Sequence, residues 1–223
     1  MRSRPVVTID GPSGAGKTTV SKRLAEAAGM VRVDTGAMYR AVALAAQRSG
    51  VPWDDPSRLG GVARDLALSF RNVAGEPRVF LSGEDVSVAI RTPEVSMGAS
   101  AVSVHGAVRE ALVAKQREMA REGGVVLEGR DTGTVVCPDA EVKFFLDAAA
   151  AVRARRRYLE SSPPGAQPFE EVLRDVLRRD VQDSTRENSP LRVADGAVYI
   201  DTTTMTVDEV VGEMLRRLPG VPR

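Results

Sequence analysis

Gly11-Pro12-Ser13-Gly14-Ala15-Gly16-Lys17-Thr18 is the stretch that decides the fold. It fits the pattern GxxxxGK[ST]. The β-branched run Val6-Val7-Thr8-Ile9 comes just before it, and a helical pattern over residues 18–28 comes just after. Strand, glycine loop and helix in that order form a cradle for phosphate. The glycines let backbone N–H groups converge on an anion without Cβ clashes, and the helix aims its positive dipole end at the same point. In that frame Lys17 reaches the β- and γ-phosphates of a nucleoside triphosphate, and the Thr18 hydroxyl ligates Mg²⁺. The predicted donor set is Gly11, Pro12, Ser13, Gly14, Ala15, Gly16, Lys17, Thr18 and Thr19.

Working outward, five short apolar runs read as buried parallel strands, over residues 6–9, 30–33, 125–127, 142–146 and 198–200. Helical patterns lie between them, over 36–47, 92–103, 107–121, 149–160, 168–180 and 207–218. Thr92 followed by Pro93 is a helix-start signal, and Gly50 is a natural stop. Strands alternating with helices predict an α/β layer fold around a five-stranded, mostly parallel sheet. One region breaks the rhythm. Residues 66–71 and 78–81 flank a turn over 72–77 and read as an antiparallel hairpin, predicted to lie in a small lobe inserted at about residues 60–92. Ser161-Ser162-Pro163-Pro164-Gly165 is a loop between two arginine-bearing helices, where a mobile cover could work, and a short lid is expected at about 153–186.

The 223 residues suffice for one domain with such an insertion, so residues 1–223 are read as a single domain. The lone Cys137 excludes an internal disulfide and fits a reducing compartment. The start of the chain shows no cleavable-signal pattern, and no apolar run approaches the length of a membrane span, so a cytoplasmic location is expected. A net charge of +1, from 31 basic and 30 acidic side chains, argues against nucleic-acid and membrane partners. Arginine outnumbers lysine, and its planar fork suits phosphate. His105 and Trp53 read as a helix-end residue and a packing residue.

Two more strand ends carry chemistry. Asp34-Thr35-Gly36-Ala37-Met38-Tyr39-Arg40 closes the second strand and opens a helix. A helix N-terminus, a hydroxyl and an arginine one turn in make an acceptor-phosphate site, placed where open α/β sheets bind ligands. Glu128-Gly129-Arg130-Asp131 closes the third strand. There Glu128 can hold Mg²⁺ through water, Arg130 can clamp phosphate, and Asp131 can accept from an exocyclic amine. The phosphate loop alone fits GTPases, ATPases and small-molecule kinases. No Asn-Lys-x-Asp guanine motif occurs, and the second arginine set favours a kinase of a small acceptor.

With these segments in hand, the chain resembles the bacterial cytidylate kinases, of the nucleoside monophosphate kinase family. The matching segments also include Ile90-Arg91-Thr92-Pro93-Glu94-Val95, Val108-Arg109-Glu110-Ala111-Leu112, Gly133-Thr134-Val135-Val136 and Arg179-Asp180 with Asp183, Arg186 and Pro190-Leu191. The resemblance implies a P-loop three-layer fold whose inserted lobe binds the nucleoside monophosphate. It implies ATP as donor, Mg²⁺ as cofactor, CMP and dCMP as acceptors, and a monomer. It assigns Ser100, Arg109 and Asp131 to the cytosine edge, and Arg179 and Asp183 to the ribose. Arg40, Arg130 and Arg186 join Lys17 around the transferring phosphoryl group, with Asp34 and Thr35 on the acceptor side. Arg153, Arg156 and Arg157 match lid-helix arginines near the ATP phosphates; the other reading of those three is a solvated helix face. Glu128 stands where Asp is common, and Thr132 and Cys137 stand where larger apolar residues are usual. The alternatives are a UMP, AMP or other small-molecule kinase of the same fold, or a non-catalytic ATP-binding switch.

Overall fold

The computed structural model describes residues 2–74, 76–160 and 167–219. In chain order the elements are β1 (Val6–Asp10), α1 (Lys17–Ala27), β2 (Val31–Asp34), α2 (Thr35–Arg48), α3 (Pro56–Arg64), β3 (Leu68–Val73), β4 (Glu76–Leu81), β5 (Glu84–Asp85), α4 (Pro93–Val102), α5 (Gly106–Ala120), β6 (Val125–Gly129), β7 (Val142–Asp147), α6 (Ala150–Glu160), α7 (Phe169–Thr185), β8 (Val198–Asp201) and α8 (Val207–Leu215). Among the described residues the large sheet has five strands in the order β2-β6-β1-β7-β8, and a second sheet has three in the order β3-β4-β5.

β1 sits at the centre of the large sheet, parallel to β6 through Val6↔Val125 to Asp10↔Gly129 and to β7 through Val7↔Val142 to Asp10↔Phe145. This register brings the carboxyl ends of β1, β6 and β7 level, so the loops leaving them share one edge, the ligand-binding edge of such sheets. All five residues of β1 and of β6 are buried, as strands covered on both faces must be.

The chain divides into two compact units. The first comprises Met1–Val31 and Glu122–Arg223. Its core gathers Val7, Ile9, Leu24, Val126, Phe144, Leu146, Val210 and Met214. The second is Arg32–Arg121. There α2 packs on α4 and α3 on α5, with Met38, Leu59, Ile90, Val102 and Leu112 buried, and the three-stranded sheet belongs to it.

The hairpin is tighter than expected. Antiparallel pairing runs from Leu68↔Leu81 to Val73↔Glu76, so the ladder claims residues assigned to the turn; Gly75 lies outside the described residues. α7 runs five residues past Asp180, and in its last turn Ser184 and Thr185 fold their hydroxyls back onto the Val181 carbonyl, at 3.1 and 2.7 Å. α8 stops at Leu215, short of Leu218, yet Leu218 is buried in the core. The cover expected at 161–165, and that part of the 153–186 lid, lie outside the described residues.

Candidate active site

In the first unit the phosphate loop is built by close backbone approach. Gly11 has φ +148°, and a Cβ there would lie 1.9 Å from the Leu146 carbonyl oxygen of β7. Gly14 has φ +80°, and its Cβ would meet the Arg153 carbonyl oxygen at 2.8 Å. No side chain fits either position, and both conformations lie outside the ordinary range of L residues. α1 begins after Gly16, a residue with no side chain to cap its first N–H groups.

Lys17 is 8 % exposed, and its Nζ donates to the carbonyls of Gly11 and Pro12, each at 2.7 Å. Burial, reinforced by the positive charge of Arg130, pushes its pKa well below the ordinary lysine range, although Glu128 and Asp10 oppose the shift. Thr18 and Glu128, predicted as metal residues, meet directly. Thr18 Oγ1 donates to Glu128 Oε1 at 2.8 Å, and the Ser21 hydroxyl donates to the other oxygen of this buried carboxylate. Thr19 is exposed on the first turn of α1.

β6 delivers Glu128, Arg130 and Asp131 within four residues. Arg130 Nε donates to Asp183 Oδ2 of α7 at 2.7 Å. Burial alone would lift the Asp183 carboxyl; Arg130, aided by Arg179 and Arg186, outweighs it and holds the group below its ordinary value. Arg186 Nε donates to the Ser189 carbonyl at 2.6 Å. Asp131 is 6 % exposed and opens a wide turn closed by Val136 N–H to Asp131 O, 3.2 Å, and Cys137 N–H to Thr132 O, 2.8 Å. Sequence reasoning gave Asp10 no role, yet it receives three hydrogen bonds from Thr132 and Gly133. Burial lifts its carboxyl above the ordinary range in spite of them, and the like charge of Asp131 adds to the lift.

The three lid-helix arginines of α6 separate. Arg153 is 5 % exposed, which corrects the solvated-face reading for it. Its fork pairs with both Asp180 oxygens at 2.9 and 2.7 Å, while Nη1 also reaches the Ser13 carbonyl at 3.2 Å. Arg156 donates to the Thr202 carbonyl at 2.7 Å and to the Gly14 carbonyl at 3.4 Å. Arg157 does lie on an exposed face, 3.9 Å from Glu160.

The second unit holds the rest of the predicted set. Asp34 caps α2, accepting from Ala37 N–H at 2.9 Å, and its other oxygen accepts from Arg40 at 3.1 Å and Arg32 at 3.4 Å. Burial would raise this carboxyl, and the arginines hold it low. Thr35 is buried beside it. The Nε of Arg40 is buried with no hydrogen-bond acceptor among the described residues. Arg32, Asp34, Arg40, Arg78 and Arg91 line one depression. Arg32 and Arg91 were not predicted, though Arg32 alternates with Val31 and Val33 along β2, a signal that it faces away from them. Arg109 is 4 % exposed, with its guanidinium 5.7 Å from the Tyr39 ring centroid and Nη1 3.4 Å from the Ser103 carbonyl. The Ser100 carbonyl accepts from the Ser103 hydroxyl at 2.8 Å, so Ser100 and Arg109 share Ser103 as a neighbour. Trp53 and His105 are packing residues: Trp53 Nε1 donates to the Ala43 carbonyl at 3.0 Å, and His105 Nε2 lies 2.9 Å from the Trp53 carbonyl.

Known proteins resemble this chain over nearly its full length. The family model for cytidylate kinase matches residues 7–219. A cytidylate kinase of Geobacter sulfurreducens is 53 % identical over 210 residues, covering 94 % of this chain and 90 % of that protein. One of Syntrophotalea carbinolica is 50 % identical over 217 residues, covering 97 % and 92 %. The solved structure of an uncharacterized protein from Eubacterium ventriosum superposes with a TM-score of 0.52 at 13 % identity, covering 96 % of this chain and 97 % of that one, which is a likeness of fold. Identity near one half over almost the full length leaves a single assignment: this chain belongs to the cytidylate kinase family.

Proposed function

We propose that the protein catalyses ATP + CMP ⇌ ADP + CDP, with dCMP as a second acceptor. A phosphate oxygen of CMP attacks the γ-phosphorus of ATP in line. The new P–O bond forms as the bond between the γ-phosphorus and the β–γ bridging oxygen breaks, and ADP leaves with that electron pair. The acceptor oxygen is already anionic, so general-base catalysis has little to do, and catalysis rests on positioning and charge neutralisation. The observation that carries this reading is the buried cationic group at the mouth of the phosphate loop. The Lys17 ammonium is desolvated in the field of Arg130 and Arg179, opposed by Glu128 and Asp10, and its Nζ rests on the Gly11 and Pro12 carbonyls of the loop that would hold the donor phosphates.

Each proposed role has a physical basis. Gly11 to Thr19 take the donor phosphates, with Arg156 near Gly14. Lys17, Arg130, Arg186 and Arg40 neutralise the transferring group. Asp34 and Thr35 organise the acceptor-phosphate side, where the buried Nε of Arg40 is a donor ready for an anion. Cytosine offers an N4 amine to the Asp131 carboxylate and its O2 and N3 acceptors to Arg109 and Ser100. Uracil would set a carbonyl against Asp131, acceptor against acceptor. Asp183 and Arg179 take the ribose. Thr18 and Glu128 suit Mg²⁺, offering a hydroxyl and a carboxylate oxygen 2.8 Å apart, hard donors of the kind this ion shares with substrate phosphates. When bound there the ion would neutralise charge on the β- and γ-phosphate oxygens. Among the described residues no helix is long and apolar enough to cross a membrane.

The test is ADP release from ATP with CMP, dCMP, UMP and AMP as acceptors, with and without Mg²⁺. Turnover is expected to be greatest with CMP and dCMP and to require the metal. Equal turnover with UMP or AMP would overturn the acceptor assignment, and turnover without any acceptor would overturn the kinase assignment.

A further inference from the structure

β1 ends in a carboxylate that the reaction above does not use. Asp10 is 2 % exposed, and three donors converge on it. Thr132 N–H and Thr132 Oγ1 donate to Oδ1 at 2.9 and 2.8 Å, and Gly133 N–H donates to Oδ2 at 2.7 Å. All three come from the two residues that follow Asp131. Asp10 is itself joined covalently to Gly11, the first residue of the phosphate loop. One buried carboxylate thus ties the loop that cradles donor phosphates to the turn that presents Asp131.

The turn has little freedom to sit elsewhere. Thr8 and Asp10 point to the same face of β1, and Gly133 packs on the wall they make. A Cβ on Gly133 would fall 2.9 Å from Thr8 Oγ1 and 3.4 Å from Asp10 Oδ2. Thr132 is completely buried, and its carbonyl is already engaged by Cys137 N–H. Both oxygens of Asp10 must accept, because every group facing them through these contacts is a donor.

We infer that Asp10 is a positioning residue for base selection: through Thr132 and Gly133 it fixes where Asp131 presents its acceptor oxygens, and so sets discrimination between 4-amino and 4-oxo pyrimidines. This rests on the reading of Asp131 as the acceptor for the cytosine amine. Asp10→Asn keeps the size of the side chain but turns one oxygen into a donor, which then opposes either the Gly133 or the Thr132 donors. Thr132→Val removes one donor and leaves the backbone contacts. Gly133→Ala wedges the turn off the wall.

The experiment measures kcat/KM for CMP and for UMP at saturating ATP and Mg²⁺, on each purified full-length variant, with Asp131→Ala as reference. The readout is the ratio of the two values. Both acceptors see the same preparation, so any loss of ATP affinity or of folded enzyme cancels, and a purely structural role leaves the ratio at its wild-type value. The expected result is a fall in the CMP:UMP ratio of about tenfold in Asp10→Asn and a smaller fall in Thr132→Val, the scale of one misplaced hydrogen bond. A wild-type ratio in Asp10→Asn, with the ratio collapsed in Asp131→Ala, overturns the role of Asp10 alone. An unchanged ratio in Asp131→Ala overturns the base reading and this inference with it. Should Asp10→Asn not fold, Thr132→Val and Gly133→Ala decide by the same ratio.

Discussion

Lys17 is a cation held where a cation is least stable. It is buried, its neighbours include Arg130, and its hydrogen bonds end on two carbonyls of its own loop. Removing such a group takes away an unfavourable buried charge in the unligated protein and takes away stabilisation only when phosphate is present. Lys17→Met is therefore expected to lower kcat by about a hundredfold or more while urea denaturation shows stability unchanged or improved. Near-wild-type turnover by the folded variant would refute the role. Lys17 was legible in the sequence because its signal is local: eight consecutive residues carry it. The buried ties of Asp10 and Arg153 were not legible, and the reason is distance along the chain. The partners of Asp10 lie 122 and 123 positions away, and Asp180 lies 27 positions from Arg153. A single aspartate at a strand end, or an arginine on a helix, has no local pattern that separates a buried tie from a solvated residue.

Among the elements, glycines decided what could be read. α3 escaped the sequence reading because Gly60-Gly61 sits in its interior, although Asp55 caps it from Arg58 N–H at 3.0 Å and Pro56 opens it. The two glycines have different physical origins. Gly60 is required by packing, since its Cβ would lie 2.9 Å from the Ala107 Cβ of α5, whereas Gly61 faces open space. Gly98 of α4 is tighter still, with a Cβ position 2.5 Å from the Trp53 ring. Helix propensity alone says that Gly→Ala stabilises an interior position by up to about 1 kcal/mol. At Gly61 nothing opposes that gain, and Gly61→Ala is expected to stabilise by about 0.5–1 kcal/mol. At Gly98 the overlap with an indole anchored through Ala43 costs about 1–3 kcal/mol, so the sign reverses and Gly98→Ala is expected to destabilise. Urea denaturation of the two variants checks this, and stabilisation by Gly98→Ala would show that Trp53 is free to retreat. The parallel strands were legible because they are continuous apolar runs, whereas the last turn of α7 was not, since Ser184 and Thr185 are weak helix formers whose hydroxyl contacts to the Val181 carbonyl leave no mark in the sequence.

At neutral pH the formal charges of the whole molecule nearly cancel, at +1, so the first losses of stability on acidification come from individual carboxylates, before protonation builds a large positive charge. Three carboxylates are shifted in directions that do not agree. Asp183 in the first unit and Asp34 in the second are held low, each because arginines outweigh the effect of burial. A depressed carboxyl gives up its proton more readily in the folded than in the unfolded chain. Its stabilisation is fully present above the unfolded value of about 3.9 and is lost as pH falls through the folded value. Asp10 is lifted instead, mainly by burial, and its contribution runs the other way, weakening the fold as pH rises from about 3.9 through its folded value. The wild-type curve of stability against pH therefore mixes opposing slopes, and a difference between two proteins is needed to isolate one. Asp183→Asn removes a single titrating group whose partner, Arg130, is 2.7 Å away and largely buried. Wild type minus variant is expected to be about 1–3 kcal/mol near neutral pH, the scale of a charged hydrogen bond. That difference should stay constant down to about pH 5 and shrink steadily below about pH 4. Urea denaturation across that range measures it. A difference that stayed flat to about pH 2 would mean that Asp183 binds its proton equally in both states, and that the arginines around it do not hold its charge.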